Sequence, residues 1–134
     1  MNKLLFVLFL VSCSPCAHAD IDDKTAVKCV LGEYENGTLE EMTATAEALR
    51  NRGTTKGVFG CKAVKESKGV FRRGSRVIPK YAVKRAFKAV SEASNSKLVK
   101  GADHWESIDF KRPSWSKGMI LTAKVGKHEY FKEA

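Results

Sequence analysis

A helix that stops at Asn36-Gly37, with a second helix beginning directly after it, constrains this chain more than any other feature. Residues 22–35 carry apolar side chains at three- and four-residue steps, which predicts a helix with one buried face. Asn-Gly is typical of a left-handed helix cap or of a turn. Residues 38–41 then have the S/T-x-x-E form of a capping box. The sequence therefore predicts two helices joined by a tight turn, with Glu33 where the first one ends.

Local signals also set the limits of these helices and of a third one. Asp22 or Asp23 can cap the first helix, and Gly53 ends the second, which is expected over residues 39–52. The third is expected over residues 80–93, after Pro79. The predicted apolar face of the second helix is narrow and consists of Met42, Thr45, Ala46 and Leu49. That of the third consists of Tyr81, Ala82, Ala86, Phe87 and Val90.

The C-terminal part of the chain is typical of β structure. MILTAKV and HEYFK flank Gly126-Lys127, which predicts a hairpin with a two-residue type II′ turn. Residues 98–99 are expected to form a short strand, whereas the glycine-rich stretch 53–76 predicts no regular element. The expected fold class is α+β, a single small domain of about three helices with a C-terminal β-hairpin.

The first 19 residues have the form of a signal peptide. An apolar stretch at residues 4–11, too short to span a bilayer, precedes Ala17-His18-Ala19, a small-x-small cleavage site. We expect the functional domain at residues 20–134. A second interpretation stays open, in which residues 10–13 are a lipobox and Cys13 is acylated and tethers the protein to a membrane. Both interpretations predict export to the periplasm or the extracellular space.

The net charge is strongly positive. Lys and Arg number 24 and Asp and Glu 15, which gives +9 at pH 7. Much of the charge lies in the stretch 62–76, which suggests a polyanionic partner or simply a soluble surface. Because an exported protein rarely meets nucleic acid, we expect an anionic cell-wall polymer instead. The only membrane contact expected is through a lipid on Cys13.

Two cysteines, Cys29 and Cys61, lie outside the leader. In an oxidising compartment a single pair is most simply a disulfide. Isolated cysteines without a CxxC motif or a histidine at ligand spacing make a poor zinc site, so no metal and no cofactor are expected. A thiol protease site with His104 would need a free cysteine, which export argues against.

Glu33 is a candidate proton donor. It lies near the C-terminal end of a helix, where the helix dipole disfavours a carboxylate, and Gly32 leaves space beside it. A partly desolvated acid in such a place is expected to have a raised pKa, which suits a general acid at neutral pH. The alternative is an ordinary solvated glutamate at a helix end.

A second candidate cluster lies in the segment GADHWES and the nearby P-S-W. His104, Trp105, Glu106 and Trp115 fall within a short stretch, and exposed aromatic faces stack on the apolar faces of sugar rings. The cluster predicts a carbohydrate cleft. The alternative is that both tryptophans are core residues.

Together these segments resemble a known family. CVLGEYENGTLEEMTATAEALRNRG, then KGVFG, then GADHWES and the closing hairpin with His128 resemble, in this order, the bacterial cell wall hydrolases related to the spore-cortex-lytic enzymes. The chain departs from the family in Tyr34, where a small residue is usual, and in having His104-Trp105-Glu106 in place of a tyrosine-rich segment.

The resemblance implies a compact fold similar to lysozymes and lytic transglycosylases, with one catalytic glutamate that matches Glu33. It implies cleavage of the bond between N-acetylmuramic acid and N-acetylglucosamine, with the muramoyl 6-hydroxyl closing a 1,6-anhydro ring. Glu35 or Glu106 across the cleft would permit hydrolysis instead. The expected partners of this monomer are peptidoglycan strands and anionic wall polymers. The residues expected to bind substrate are Tyr34, Asn51, Arg52, His104, Trp105, Glu106 and Trp115, although Asn51 and Arg52 equally suit a helix C-terminus.

Three rival functions stay open. A non-catalytic wall-binding or inhibitor module on the same fold would use the charge and the aromatic residues equally well. An amidase would cut the peptide instead, but His104 and His128 alone are a thin ligand set for the zinc that amidases commonly use. A membrane-surface peptide is the weakest alternative because no strongly amphipathic basic helix is evident.

Overall fold

The computed structural model describes residues 21–134, so the predicted signal peptide, its cleavage site and the lipobox lie outside the described residues. The helices are α1 (Asp23–Tyr34), α2 (Leu39–Arg52), α3 (Gly60–Ala63) and α4 (Lys80–Ala93), with one 3₁₀ turn at Ser114–Ser116. The strands are β1 (Lys65–Ser67), β2 (Val70–Arg73), β3 (Arg76–Val77), β4 (His104–Ser107), β5 (Ile120–Val125) and β6 (His128–Lys132). The predicted α+β class and the three long helices are confirmed, and α3 is an additional short one.

The corner between α1 and α2 forms as the sequence predicts. Asp22 caps α1, since its Oδ1 accepts the Thr25 N–H at 2.8 Å. The capping box of α2 is complete, with the Thr38 hydroxyl and the Glu41 carboxylate each accepting the other's backbone N–H. The Asn36-Gly37 pair is a turn without a positive φ, so of the two predicted forms the left-handed cap is wrong. The capped ends fix where the last turn of α1 points.

Helix α2 runs through the middle of the molecule. All eight residues 42–49 are buried, so the predicted narrow apolar face is wrong. One side joins the core formed with α1 and α4, while Ala44 and Ala48 join a second apolar cluster with Tyr130 of β6. Alanines suit this position because their small side chains let neighbouring backbones approach from several directions.

Helix α4 has the predicted limits, and Ala82, Ala86 and Val90 of its predicted apolar face are buried, but Tyr81 and Phe87 are not. Its buried residues are alanines and one valine: Ala82, Ala86, Ala89, Val90 and Ala93. Tyr81 and Phe87, which the periodicity assigned to this face, are 61% and 42% exposed. The close packing of α2 against α4 leaves room for small side chains only, which excludes both rings.

Residues 65–77 form a three-stranded antiparallel sheet in the order β1-β2-β3, which the sequence did not predict. Lys68 and Gly69 both have positive φ, as a two-residue type I′ turn between β1 and β2 requires. Phe71 of β2 is buried and anchors the sheet to the main core.

The second sheet has the order β4-β6-β5 and contains the predicted C-terminal hairpin. Gly126 has a positive φ and Lys127 does not, as in a type II′ turn. Leu98 and Val99 are not a strand. Their N–H groups donate at 2.9 and 2.8 Å to the buried carboxylate of Glu47 instead of to a neighbouring strand.

Cys29 and Cys61 form the predicted disulfide, which ties α1 to α3 across a sequence separation of 32 residues. A ring of this size constrains the unfolded chain by about 3–4 kcal/mol in the chain-entropy model. In the described part of the chain no helix is long and apolar enough to span a membrane.

Candidate active site

A groove of about 660 Å³ opens between the end of α1, the segment from Gly57 to α3, the end of β2 and the strands β4 and β6. The residues that line it are Gly32, Glu33, Arg52, Gly57, Val58, Phe59, Gly60, Ala63, Arg73, His104, Trp105, Glu106, Ser107, Trp115 and His128. Eight residues were predicted to act in catalysis or substrate binding. Four of them lie on β4 or in the 3₁₀ turn that follows it: His104, Trp105, Glu106 and Trp115. The groove therefore joins Glu33 to the aromatic cluster over a long sequence separation.

Glu33 lines the groove from the last turn of α1. Its Oε1 accepts the backbone N–H of Gly60 at 3.0 Å. No second hydrogen bond to this carboxyl group occurs within residues 21–134. One oxygen is thus fixed by a backbone donor, and the other makes no hydrogen bond to the described residues.

The position of Glu33 depends on a close crossing of two backbones. A Cβ on Gly32 would lie 1.8 Å from the Gly60 carbonyl oxygen, and a Cβ on Gly60 would lie 2.6 Å from the Glu33 nitrogen. Only glycine permits this approach. The neighbouring Cys29–Cys61 disulfide clamps the same two segments. The end of α1 and the start of α3 are therefore held as one unit around the acid.

Glu35 points away from the groove, as expected for a residue two positions from Glu33 on a helix. Both oxygens of Glu35 accept from the Arg76 guanidinium at 2.9 Å, and Arg73 Nε lies 3.6 Å from Oε1. The hydrogen bonds from Arg76 lower the pKa of Glu35, with the charges of Arg76 and Arg73 acting in the same direction. Glu35 thus pins α1 to the small sheet.

Replacing Glu35 with Gln is expected to destabilise the fold by about 1 kcal/mol at neutral pH, and the loss should depend on pH. Because the folded state lowers the pKa of Glu35 below its usual 4.5, its contribution is present above pH 4.5 and is lost as the pH falls through the lowered value. Thermal unfolding of both proteins from pH 7 to pH 3 should show the curves converging in acid. Glu133→Gln, at an exposed position, is the control. A pH-independent difference between wild type and Glu35→Gln would contradict this account.

The predicted aromatic cluster assembles along one side of the groove. The rings of His104 and Trp115 lie 5.3 Å apart, and Trp115 meets Phe131 edge to face at 5.6 Å. Trp115 is 40% exposed, whereas Trp105 is half-buried and packs against both apolar clusters. Asp103 Oδ1 lies 2.8 Å from His104 Nδ1 and orients its ring. Trp115 is thus the more exposed tryptophan of the groove lining, and Trp105 mainly packs against the core behind it.

Asn51 and Arg52 lie at the end of α2 and are used differently from each other. Asn51 Nδ2 donates to the Ala102 carbonyl oxygen at 2.9 Å, and Asn51 does not line the groove. Arg52 does line it, but its nitrogens donate to the backbone oxygens of Lys56 and Asp103. Both residues therefore tie α2 to the loops that build the groove.

Tyr34 lies beneath the groove and is not part of its lining. Its ring meets the His128 ring edge to face at 4.5 Å, and burial together with the nearby Glu41 carboxylate raises its pKa. A Cβ on Gly37 would lie 2.0 Å from the Tyr34 ring, which explains the glycine in the turn. Tyr34 thus supports the floor on which His128 rests.

Nine of the lining residues were not predicted as site residues, and Phe59, Arg73 and His128 have the largest side chains among them. Phe59 is 87% exposed at the groove beside Gly60. His128 is buried, which lowers its pKa, and its Nδ1 has no hydrogen-bond partner among the described residues. Phe59 belongs to the segment KGVFG, which carries the family resemblance, and that signal could have found it. His128 belongs to the closing hairpin of the same resemblance, whereas Arg73 reaches the groove only through tertiary structure.

Within residues 21–134, no three His, Cys, Asp or Glu side chains are grouped so as to hold a metal ion.

No protein-family model matches the chain. No curated protein matches it at a significant level. Among solved structures, the crystal structure of the catalytic domain of the SleB protein of Bacillus cereus is similar, with a TM-score of 0.54. The two are 17% identical, and the match covers 84% of this chain and 92% of that one. The fold that the sequence resemblance implied is therefore confirmed: residues 21–134 have an α+β fold like that of the SleB catalytic domain.

Proposed function

We propose that this protein is an exported enzyme that cleaves the glycan strand of peptidoglycan, with Glu33 as its single acid and base. The observation that carries the proposal is Glu33 in the groove, with one oxygen held by the Gly60 N–H and with aromatic rings lining the same groove. A fold like that of a SleB catalytic domain and the family resemblance around Glu33 support it. The leader at residues 1–19 and the disulfide favour export.

The chemistry needs one carboxyl group that acts twice. Protonated Glu33 gives its proton to the glycosidic oxygen as the bond from the muramoyl anomeric carbon breaks, and the N-acetylglucosamine hydroxyl leaves. Positive charge develops on the muramoyl ring. Ionised Glu33 then takes the proton from the muramoyl 6-hydroxyl, whose oxygen bonds to the anomeric carbon. Glu33 is protonated again, and no water is consumed.

Hydrolysis would need a second carboxylate on the other side of the scissile bond. Glu106 lines the groove, and one of its oxygens accepts the Ser107 N–H at 3.0 Å. Glu35 is bound to Arg76 outside the groove. We propose that the intramolecular reaction dominates and that Glu106 contacts the substrate without activating water. Anhydromuramoyl ends on the released fragments would support this assignment, and reducing ends would contradict it.

Aromatic faces explain how a neutral sugar is held. Phe59 and Trp115 are the exposed rings of the groove, and we propose that sugar rings stack on them, with His104 and Glu106 contacting hydroxyl or N-acetyl groups. The basic side chains of the stretch 62–76 are exposed apart from Arg73 and attract the anionic wall.

Replacing Phe59 with Ala is expected to raise the KM for glycan strands about tenfold while the melting temperature stays unchanged, because the exposed ring contributes to binding and not to the core. Turbidity clearing of purified peptidoglycan measures the activity. Phe110→Ala is the matched control, since Phe110 is 68% exposed outside the groove. An equal effect of both substitutions would contradict stacking at Phe59.

The test of the proposal is digestion of purified peptidoglycan by residues 20–134. Release of soluble glycan fragments supports an enzyme. Tight sedimentation onto the wall without any released fragment would support the rival, a wall-binding or inhibitor module, and would contradict the proposal. Release of peptides alone would indicate an amidase.

A further inference from the structure

Arg73 connects the small sheet to the last turn of α1. It ends β2 and lines the groove. Its Nη2 donates to the backbone oxygens of Gly32 at 2.9 Å and of Leu31 at 3.3 Å. Carbonyl groups at a helix C-terminus lack intrahelical partners and carry partial negative charge, so a guanidinium is favourable there. One nitrogen of Arg73 is thus fixed next to the residue that precedes Glu33.

The charge of Arg73 is only partly balanced. Among residues 21–134, Glu35 supplies the one carboxylate within 4 Å of it, 3.6 Å from Nε. The same carboxylate is held by two hydrogen bonds from Arg76 at 2.9 Å. Two guanidinium groups therefore share one negative charge. Nη1 of Arg73 makes no hydrogen bond to the described residues. A charged donor without a partner remains at the groove wall.

Arg52, the other arginine of the groove, differs in this respect. Its Nε and Nη2 donate to the Lys56 oxygen, and its Nη1 donates to the Asp103 oxygen. All three of its nitrogens are used by the backbone. A guanidinium has five N–H groups, so Arg52 keeps two that are unused. Of the two groove arginines, Arg73 is the one with a nitrogen, Nη1, that makes no hydrogen bond to the described residues.

We propose that Arg73 binds a carboxylate carried by the glycan strand and so selects strands whose muramoyl units keep their acidic groups. The inference rests on the proposed function. The lactyl ether of muramic acid bears either a free carboxylate or a stem peptide with carboxylates of its own. The free Nη1 of Arg73 can donate a charge-assisted hydrogen bond to such a carboxylate. Because Arg73 is anchored to Gly32, an acid bound there holds the strand in a fixed register with Glu33.

The test compares native glycan strands with strands whose carboxylates have been converted to methylamides. Wild-type kcat/KM is expected to fall about tenfold or more on the amidated strands. Arg73→Gln is expected to lose a similar factor on native strands and to be insensitive to amidation. If wild type is indifferent to amidation, or if Arg73→Gln falls below wild type by the same factor on native strands and on amidated strands, Arg73 only caps α1 and the inference is wrong.

Lys84→Gln is the matched control, because it removes one positive charge from an exposed position of α4 that lies outside both the groove and the basic stretch 62–76. It should behave as wild type on both substrates. Arg73→Lys keeps the charge but not the guanidinium geometry, so it is expected to recover part of the preference even if Arg73→Gln folds poorly. If wild-type activity falls when phosphodiester-linked polymers are stripped from the wall but is unchanged by amidation, Arg73 binds a phosphate. That result would contradict the assignment of Arg73 to a carboxylate.

Binding measured on the Glu33→Gln background separates this inference from the proposed function. Sedimentation with native and amidated strands needs no cleavage, and the Arg73-dependent preference should persist there. If wild type cleaves neither substrate while the preference persists in binding, the enzymatic proposal fails and the assignment of Arg73 stands. Absence of the preference in binding overturns the assignment whatever the activity.

Discussion

Glu33→Gln is expected to abolish glycan cleavage, with a loss of at least about a thousandfold, while the fold and binding to the wall remain. The amide is nearly the same size and its oxygen can still accept the Gly60 N–H, so the crossing of α1 and α3 is preserved. It cannot donate or take a proton in the reaction, and a positioned acid and base contributes about 10²–10⁴-fold to the rate of each step that it assists. Turbidity clearing measures the loss of cleavage, and the melting temperature shows whether the fold remains.

The control for this substitution is Glu40→Gln, which changes an exposed glutamate of α2 outside the groove. It should leave the rate unchanged. If Glu33→Gln retains more than about a tenth of the activity with an unchanged melting temperature, Glu33 is not the acid. In that case Glu106 becomes the carboxylate to test, because it lines the same groove.

Gly32→Ala is expected to destabilise the protein by about 3 kcal/mol and to inactivate it even under conditions where it stays folded. The new Cβ would lie 1.8 Å from the Gly60 oxygen and 2.6 Å from the Gly60 Cα. These are backbone atoms, so the clash can be relieved only by separating α1 from α3. That separation removes the Gly60 N–H from Glu33. Urea denaturation gives the stability, and glycan release from peptidoglycan gives the activity.

Gly69→Ala separates steric clash from backbone strain. Gly69 has a φ of +80°, so alanine is strained there, but nothing lies within 4 Å of the new Cβ. A cost of about 1 kcal/mol with full activity is expected. If Gly32→Ala costs no more than Gly69→Ala and keeps its activity, the close crossing does not position the acid.

The long helices could be predicted because residues close to each end determine where the helix begins or ends. Asp22, Thr38 and Gly53 each act within a few residues of themselves, and each caps a helix in the structure as the sequence indicates. The C-terminal hairpin was equally predictable because a run of β-forming residues lies on each side of Gly126-Lys127. Its third partner, β4, was not, since strand pairing across a long separation leaves no local signal.

The small sheet at residues 65–77 was missed for a physical reason. Its strands have three, four and two residues, and charged side chains dominate them, so no alternation of apolar and polar residues is visible. The dipeptides Lys68-Gly69 and Gly74-Ser75 at the two turns were the one available signal. This sheet matters for the site because it carries Arg73.

The position of Glu33 at a helix end beside glycine was predictable because it is a local pattern, and its role stays a prediction. The groove around it depends on tertiary contacts. The crossing of Gly32 and Gly60 brings Phe59 beside the acid, and the β4–β6 pairing brings His128 into the groove lining. Asn51 shows the converse, since its helix-end position suited either a substrate contact or a cap, and the structure uses its side chain to hold Ala102.

The most direct test of the account is mass spectrometry of the glycan fragments that residues 20–134 release from peptidoglycan, with Glu33→Gln treated in parallel. The account predicts fragments ending in 1,6-anhydromuramoyl units from the wild-type domain and none from the variant. Reducing muramoyl ends would contradict the single-carboxylate mechanism and point to water activated by a second acid. Identical fragments from both proteins, or none from either, would contradict Glu33 as the catalytic residue of a glycan-cleaving enzyme.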